Sequence, residues 1–157
     1  MNMKDIIDIL RQQLILCRRL LELAQAQKIE LVKTDAVAAR KLTSEIEPVM
    51  ADINSLEKRK EELLTDLKVD NLSAWVAKMP ASPEKEVIST LLSKQETVLQ
   101  DLKAVNSANM QYLDRHTKFI DYNINVMTQT SAGVTYGTPG DDGGMPVQGR
   151  KMFEAGV

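Results

Sequence analysis

Glycine is absent from the first 132 residues of this 157-residue chain, and all seven glycines lie between Gly133 and Gly156. Glycine is the usual residue of tight turns because it adopts backbone conformations that other residues avoid. Such a long stretch without glycine argues against a sheet protein with many tight turns, and it excludes a glycine-rich phosphate loop there. The sequence therefore divides into a regular body and an irregular C-terminal segment.

The composition of the body favours long amphipathic helices. Only 4% of the residues are aromatic and 27% are charged, so a core would consist mainly of leucine, isoleucine, valine, methionine and alanine. This balance is typical of long helices and coiled coils, and the length suits one domain. We predict an all-α fold: an elongated antiparallel helical bundle or coiled coil of three long helices with a short connecting helix.

The charge balance gives no sign of a nucleic-acid-binding protein. Twenty basic and twenty-two acidic side chains leave a net charge of −2, whereas a basic surface is expected for nucleic acid. The densest basic run, Lys58-Arg59-Lys60, is flanked by glutamates. Opposite charges at this helical spacing predict a solvated face that compensates its own charge.

Cysteine usage and hydropathy indicate a cytosolic protein. The single cysteine, Cys17, excludes an internal disulfide and a multi-cysteine metal site, and its apolar helical position predicts a buried thiol. Acidic residues and glutamines interrupt the N-terminal segment, where a signal peptide needs an apolar run. No segment has the roughly 20 apolar residues that cross a bilayer, so we expect no membrane insertion.

Apolar residues at alternating steps of three and four predict a first helix from residue 3 to 33. It carries two apolar rows and should therefore contact two neighbours. Lys33-Thr34-Asp35 then supplies a turn and a helix N-cap. A second apolar row from Leu42 to Leu67 is interrupted by Pro48, which either kinks one helix or separates two. The unbroken heptad phase favours a kink.

A short helix within residues 70–80 is expected to join the long helices, with Trp75 as a packing residue rather than a ligand platform. Ser82-Pro83 is a helix-start signal, and the apolar rows beyond it predict a third helix from residue 84 to 128. At 1.5 Å per residue this helix would be about 65 Å long.

Polar residues interrupt the apolar rows of the predicted third helix. Such residues either fix the register inside a bundle or line a groove that awaits a partner helix, and both interpretations stay open. They are Gln95, Asn106, Asn109, His116 and Asn123. Because residues 129–157 are glycine-rich and lack periodicity, we predict a helical bundle domain over 1–128. Residues 129–157 would then form a flexible tail that is disordered or loosely docked.

The sequence offers little material for catalysis. His116 is the only histidine, and the aspartates nearest to it in sequence do not stack on its helical face. A phosphotransfer histidine in a bundle would have a lysine three residues later, whereas Lys118 follows after two. The chain has no Glu-x-x-His pair for a carboxylate metal site. We expect no enzymatic activity, no cofactor and no metal.

Two helical stretches and the start of the glycine-rich segment resemble the FlgN family of flagellar type III export chaperones. They are LLELAQAQKIELVKTDAVAARKL at 20–42, NSANMQYLDRHTKFIDYNINVMT at 106–128, and Tyr136-Gly137. The resemblance covers nearly the whole length. It implies a cytosolic chaperone that binds the helical C-terminal segments of hook–filament junction proteins of the FlgK and FlgL type. The chaperone would prevent their premature assembly and deliver them to the export apparatus, with export ATPase complex components as further candidate partners.

The resemblance also implies where a client protein binds. In the family, client binding maps toward the C-terminal part, and the mode expected is a helix packed in an apolar groove. The bundle core is an equally good interpretation of the matching positions. A structural coiled-coil scaffold or stalk protein without a client is the alternative function. The matching positions are Leu113, Phe119, Ile120, Ile124, Val126 and Met127.

Overall fold

The computed structural model describes residues 3–110 and 113–134, and these residues form five α-helices without a strand. The all-α prediction is therefore confirmed. The predictions that concern Tyr136 and the rest of residues 135–157 lie outside the described residues. The helices are α1 (Met3–Val32), α2 (Ala36–Leu67), α3 (Leu72–Ala77), α4 (Pro83–Asn109) and α5 (Asp114–Ala132).

Polar side chains cap the helices that follow the two predicted start signals. The Asp35 carboxylate accepts a hydrogen bond of 3.0 Å from the Ala38 N–H at the start of α2. The Ser82 hydroxyl accepts one of 3.1 Å from the Lys85 N–H, and Pro83 occupies the first position of α4. Each cap satisfies a backbone N–H that has no partner inside the helix. The predicted helix starts after Asp35 and Ser82 are thus confirmed.

α2 continues through Pro48 as one helix, as the heptad phase predicted. Proline lacks an N–H and crowds the carbonyl four residues earlier, so the Ser44 carbonyl loses its usual helical partner. Both Pro48 and Ser44 are exposed, and water can therefore reach that carbonyl. An exposed position makes this proline tolerable inside a long helix.

Cross-helix hydrogen bonds show that α1 and α2 form an antiparallel pair. Gln13 near the start of α1 donates to Glu57 near the end of α2, at 2.9 Å. Gln27 near the end of α1 donates to the Thr43 hydroxyl near the start of α2, at 2.8 Å. The turn at residues 33–35 joins them, with Thr34 in the left-handed conformation at φ 60°.

α4 runs parallel to α1. Gln95 donates to Gln13 at 3.3 Å, and Asn109 donates to the Ala24 carbonyl at 3.3 Å. The sequence separation between partners is nearly the same in both pairs, 82 and 85 residues, as a parallel arrangement requires. Consecutive long helices are therefore antiparallel, which agrees with the predicted antiparallel bundle.

The prediction of a single third helix from residue 84 to 128 is wrong. The structure has α4 ending at Asn109 and α5 beginning at Asp114, and α5 returns antiparallel to α4. Asn106 donates to the Thr117 carbonyl at 2.7 Å beside the break, and Ser131 donates to Gln95 at 2.9 Å at the far end. α5 also ends at Ala132, four residues beyond the predicted end at 128.

Burial and local sequence together explain the break. A continuous helix would carry the apolar residues beyond 113 away from the bundle, whereas the return of α5 buries three of them. The segment Asn106-Ser107-Ala108-Asn109 precedes the break, and asparagine and serine compete with helical hydrogen bonds through their side chains. The heptad phase survives across the break, and for this reason periodicity alone did not reveal it.

Two clusters of buried apolar residues form the core. The main cluster combines residues of α1, α2, α4 and α5, and the second lies at the end of the bundle where α3 packs. Trp75 is half-buried against the second cluster, so its predicted packing role is confirmed. The second cluster comprises Ile6, Leu10, Leu64, Leu72, Val76 and Ile88.

We expect the same substitution to have opposite consequences at Ile53 and Ile15. Ile53 is 0% exposed in the main cluster, whereas Ile15 is 66% exposed on α1. Ile53→Ala should lower the free energy of unfolding by about 2–5 kcal/mol, because a cavity replaces the buried side chain. Ile15→Ala should change it by less than about 0.5 kcal/mol. Urea unfolding followed by circular dichroism tests both, and equal effects would contradict the burial described.

Candidate functional site

Three of the six predicted client-binding residues are buried in the main core cluster. Ile120, Ile124 and Met127 are 1%, 0% and 1% exposed, on the face of α5 that packs against the other long helices. In this arrangement they hold α5 on the bundle. A client helix has no access to them while α5 remains docked.

The other three predicted residues lie toward the outside. Phe119 is 36% exposed, and Leu113 and Val126 are half-buried. Leu113 occupies the N-cap position of α5, where its side chain cannot accept a cap hydrogen bond. These three residues form an accessible apolar margin. The other three predicted residues lie on the side of α5 that faces the bundle.

Met127 reaches the only cysteine of the chain. The Cys17 thiol of α1 lies 3.9 Å from the Met127 sulfur and is fully buried, as the sequence predicted. Burial raises the pKa of the Cys17 thiol to about 12, and the nearby Lys60 partly opposes this rise. A thiol that stays protonated is a poor nucleophile, so Cys17 acts here as a small apolar residue under α5.

A buried polar layer joins the four helices α1, α2, α4 and α5. At its centre the Lys60 ammonium of α2 donates to Gln13 at 3.1 Å and to the Ser131 hydroxyl at 3.0 Å, and it pairs with Glu57 at 3.0 Å. An ammonium has three donors, and these contacts use all of them. The polar layer consists of Gln13, Glu57, Lys60, Gln95, Thr130 and Ser131.

The polar layer corrects the interpretation of the basic run. Lys58 and Arg59 are exposed as predicted, whereas Lys60 is only 2% exposed and Glu57 6%. The position of Lys60 within the apolar row of α2 was the available signal. Gln13 was missed entirely, because a lone glutamine beside an apolar row normally remains in water.

The polar positions of the predicted third helix belong to the bundle interior. Asn106, Asn109 and Asn123 are buried, and Gln95 lies in the polar layer. His116 is half-buried, and its Nε2 finds no hydrogen-bond partner within the described residues. Burial lowers the pKa of His116, while the Glu47 carboxylate partly opposes this. Of the two interpretations left open, register-fixing inside a bundle describes Asn106 and Asn109, which bond across helices, whereas Asn123 donates to a carbonyl of its own helix.

Different features mark the two halves of α5. Toward its N-terminal half, Asp121 forms an ion pair with Lys103 of α4. At its C-terminus, Gly133 adopts φ 77° and its N–H binds the Gln129 carbonyl. A Cβ at this position would lie 2.8 Å from the Asn71 side chain. The first glycine of the chain is thus required by backbone conformation and by close packing where α5 ends.

The described residues offer no constellation for metal-dependent chemistry. Within 3–110 and 113–134, no group of three or more histidine, cysteine or carboxylate side chains could hold a metal ion. Over the same residues, no helix has the length and apolarity that a membrane span requires. α5 is the element that carries five of the six predicted client-binding residues, and Leu113 lies at its N-cap.

Comparison with known proteins identifies the family. A family model described as FlgN protein matches residues 1–143, which include all five helices. The chain belongs to the FlgN family. No curated protein and no solved structure gives a match. Membership confirms the predicted resemblance and supports a general role as a flagellar export chaperone.

We expect Lys60→Met to destabilise this FlgN-family chain by about 3–5 kcal/mol, because it leaves the Glu57 carboxylate buried without its cation. The matched control is Arg19→Met, which breaks an exposed ion pair with Glu22 on α1. An exposed pair contributes about 0–1 kcal/mol. Urea unfolding measures both variants, and a Lys60→Met chain as stable as the control would contradict the buried pair.

We also expect acid to destabilise the bundle partly through His116. Its pKa is lowered in the folded state, so the unfolded chain binds the proton more readily. The stability contributed by neutral His116 is present above its unfolded pKa and is lost as the pH falls through and below that value. His116→Gln should therefore show a smaller fall in melting temperature between pH 7 and pH 5 than the parent chain. Identical falls would assign the acid sensitivity to other groups.

Proposed function

We propose that this chain is a cytoplasmic export chaperone for flagellar hook–filament junction proteins. It would bind their helical C-terminal segments, prevent premature assembly and deliver them to the export apparatus, with export ATPase complex components as further partners. The observation that supports the proposal is the FlgN family match over residues 1–143, which spans the whole of α5.

We propose α5 as the element that contacts the client. An amphipathic partner helix recognises apolar residues at spacings of three and four, and Ile120, Ile124 and Met127 follow that spacing. Phe119 and Val126 extend the same apolar surface around the helix, and Leu113 lies at its start. Methionine is flexible and polarisable, so Met127 suits a surface that adapts to more than one client.

Binding of a client segment is the direct test. The full chain mixed with the C-terminal segment of a hook–filament junction protein should elute from gel filtration as a one-to-one complex at micromolar concentrations. Separate elution would overturn the chaperone proposal. If the chain alone forms larger assemblies and binds no segment, the scaffold without a client becomes the better description.

Phe119→Asp tests the location of the client site. Because Phe119 is 36% exposed, the substitution should lower the melting temperature far less than the same change at the buried neighbour Ile120. Placing a charge in an apolar contact and removing the ring should weaken the complex by more than about tenfold, since one buried aromatic side chain contributes about 1.5–3 kcal/mol. Isothermal titration calorimetry measures the affinity.

The matched control for Phe119→Asp is Ile15→Asp, which places the same charge on the exposed face of α1. It should bind the client as tightly as the parent chain. Equal affinities of all three proteins would show that the client does not use the exposed margin of α5 around Phe119.

A further inference from the structure

The buried position of half the proposed client site points to a movement of α5. We propose that α5 undocks from the bundle as a helical unit and that the client binds the apolar face uncovered in this way. This inference rests on the proposed function, because it concerns access to the same site. It follows from the burial of Ile120, Ile124 and Met127, which a client can contact only when α5 leaves α1, α2 and α4.

The buried face of α5 is poorly suited to permanent attachment. Among the α5 side chains that the structure describes, seven are buried and four of these are polar, whereas α1 buries nine apolar residues and only two polar ones. Apolar burial is the main source of free energy for helix packing. α5 is therefore held on the bundle by much less apolar surface than α1. Its buried polar residues are Thr117, Asn123, Thr128 and Ser131.

Several polar atoms of docked α5 lack hydrogen bonds. Within the described residues, five buried side-chain atoms have no partner, and three of them belong to α5: His116 Nε2, Asn125 Oδ1 and Thr128 Oγ1. A buried polar atom without a partner carries a desolvation penalty. Undocking would return these atoms to water, so this penalty favours release.

A groove adjoins the C-terminal half of α5 on one side. Thr128, Ser131 and Ala132 border it, together with residues of α3 and α4, and its volume is about 420 Å³. Packing on this side of α5 is therefore incomplete. A close-packed core resists the separation of its parts because every contact is lost together, and α5 has fewer contacts to lose here.

The polar layer remains largely complete without α5. Only the hydroxyls of Thr130 and Ser131 come from α5. If α5 leaves, Lys60 keeps its contacts with Glu57 and Gln13, and Gln13 keeps its contact with Gln95. Water can replace two hydroxyls at little cost. Undocking therefore leaves the buried Lys60–Glu57 pair intact, and the cross-helix pair that it does break is the half-buried one between α4 and α5.

Cys17 provides a native probe for this movement. Its thiol is buried against Met127, and it is the only thiol of the chain. We expect a thiol reagent to label Cys17 in the folded full-length chain through undocking of α5, without global unfolding. The rate should depend on urea with a slope well below that of global unfolding, because the slope scales with the surface exposed.

The control for the labelling experiment is a cysteine buried in the second core cluster, away from α5. In the double variant Cys17→Ala with Ile88→Cys, the thiol lies in the second core cluster at the other end of α4. Its labelling should follow global unfolding with the full urea slope. If Cys17 in the parent chain shows that same full slope, α5 does not undock separately and the inference is overturned.

Ser131→Ala should shift α5 toward the undocked state. It removes the hydroxyl that contacts Lys60 and Gln95, and one such hydrogen bond corresponds to a change of about two- to tenfold. We expect Cys17 labelling to accelerate by that factor, and the client to bind more tightly by a similar factor, because less free energy is needed for undocking. Thr43→Ala is the matched control, since it removes a cross-helix contact between α1 and α2. It should change neither quantity.

The two readouts separate this inference from the proposed function. Labelling needs no client, so undocking detected by labelling stands even if no client binds, in which case the chaperone proposal fails alone. If the client binds Ser131→Ala and the parent chain equally although labelling accelerates, client binding does not require undocking and the inference is overturned.

Discussion

The charge of Lys60 is the constraint on which the arrangement of the long helices depends. A buried ammonium loses several kcal/mol of hydration unless its donors find partners. Here the partners come from three helices: Gln13 of α1, Glu57 of α2 itself and Ser131 of α5, while Gln95 of α4 completes the polar layer through Gln13. Sliding α1 or α5 by one turn would remove one of the acceptors of the ammonium and leave a buried donor without a partner, although Glu57 on the same helix would still balance the charge. Apolar side chains tolerate such a shift better, so the polar layer fixes the register and the leucines supply the packing energy.

The four helices contribute unequally to the polar layer. α1, α2 and α4 contribute a charged or amide side chain that bonds to at least one other member of this group, whereas α5 contributes only the hydroxyls of Thr130 and Ser131. Hydroxyl contacts are readily exchanged for water. The interaction that locks three helices in register therefore holds the fourth one weakly. The proposed release of α5 is compatible with a stable bundle because the two depend on different members of one network.

Sequence reasoning could recover elements whose signals are local. The N-caps Asp35 and Ser82 and the continuous apolar rows of α1 and α2 gave helix boundaries close to those observed. The break between α4 and α5 was missed because the heptad phase continues across it and its main cause is tertiary: the apolar residues after it can be buried only if the chain reverses. Of the predicted site, only Phe119 proved substantially exposed, since heptad spacing describes a helical face and not what covers that face. Gln13 could not be anticipated at all, because its role exists only beside Lys60 and Glu57.

The break after Asn109 also has a functional consequence for a chaperone without a client. On one continuous helix the apolar residues Ile120, Ile124 and Met127 would extend beyond the bundle, and such an exposed patch promotes association. The return of α5 covers this face with the chain's own bundle. If α5 undocks as proposed, a client helix competes with an internal partner and not with water, and only a segment that packs better than the bundle would displace it. Selectivity under this arrangement arises from a difference between two packing energies, which is the general basis of specific recognition. In the proposed mechanism, the polar and incompletely packed buried face of α5 keeps that difference small.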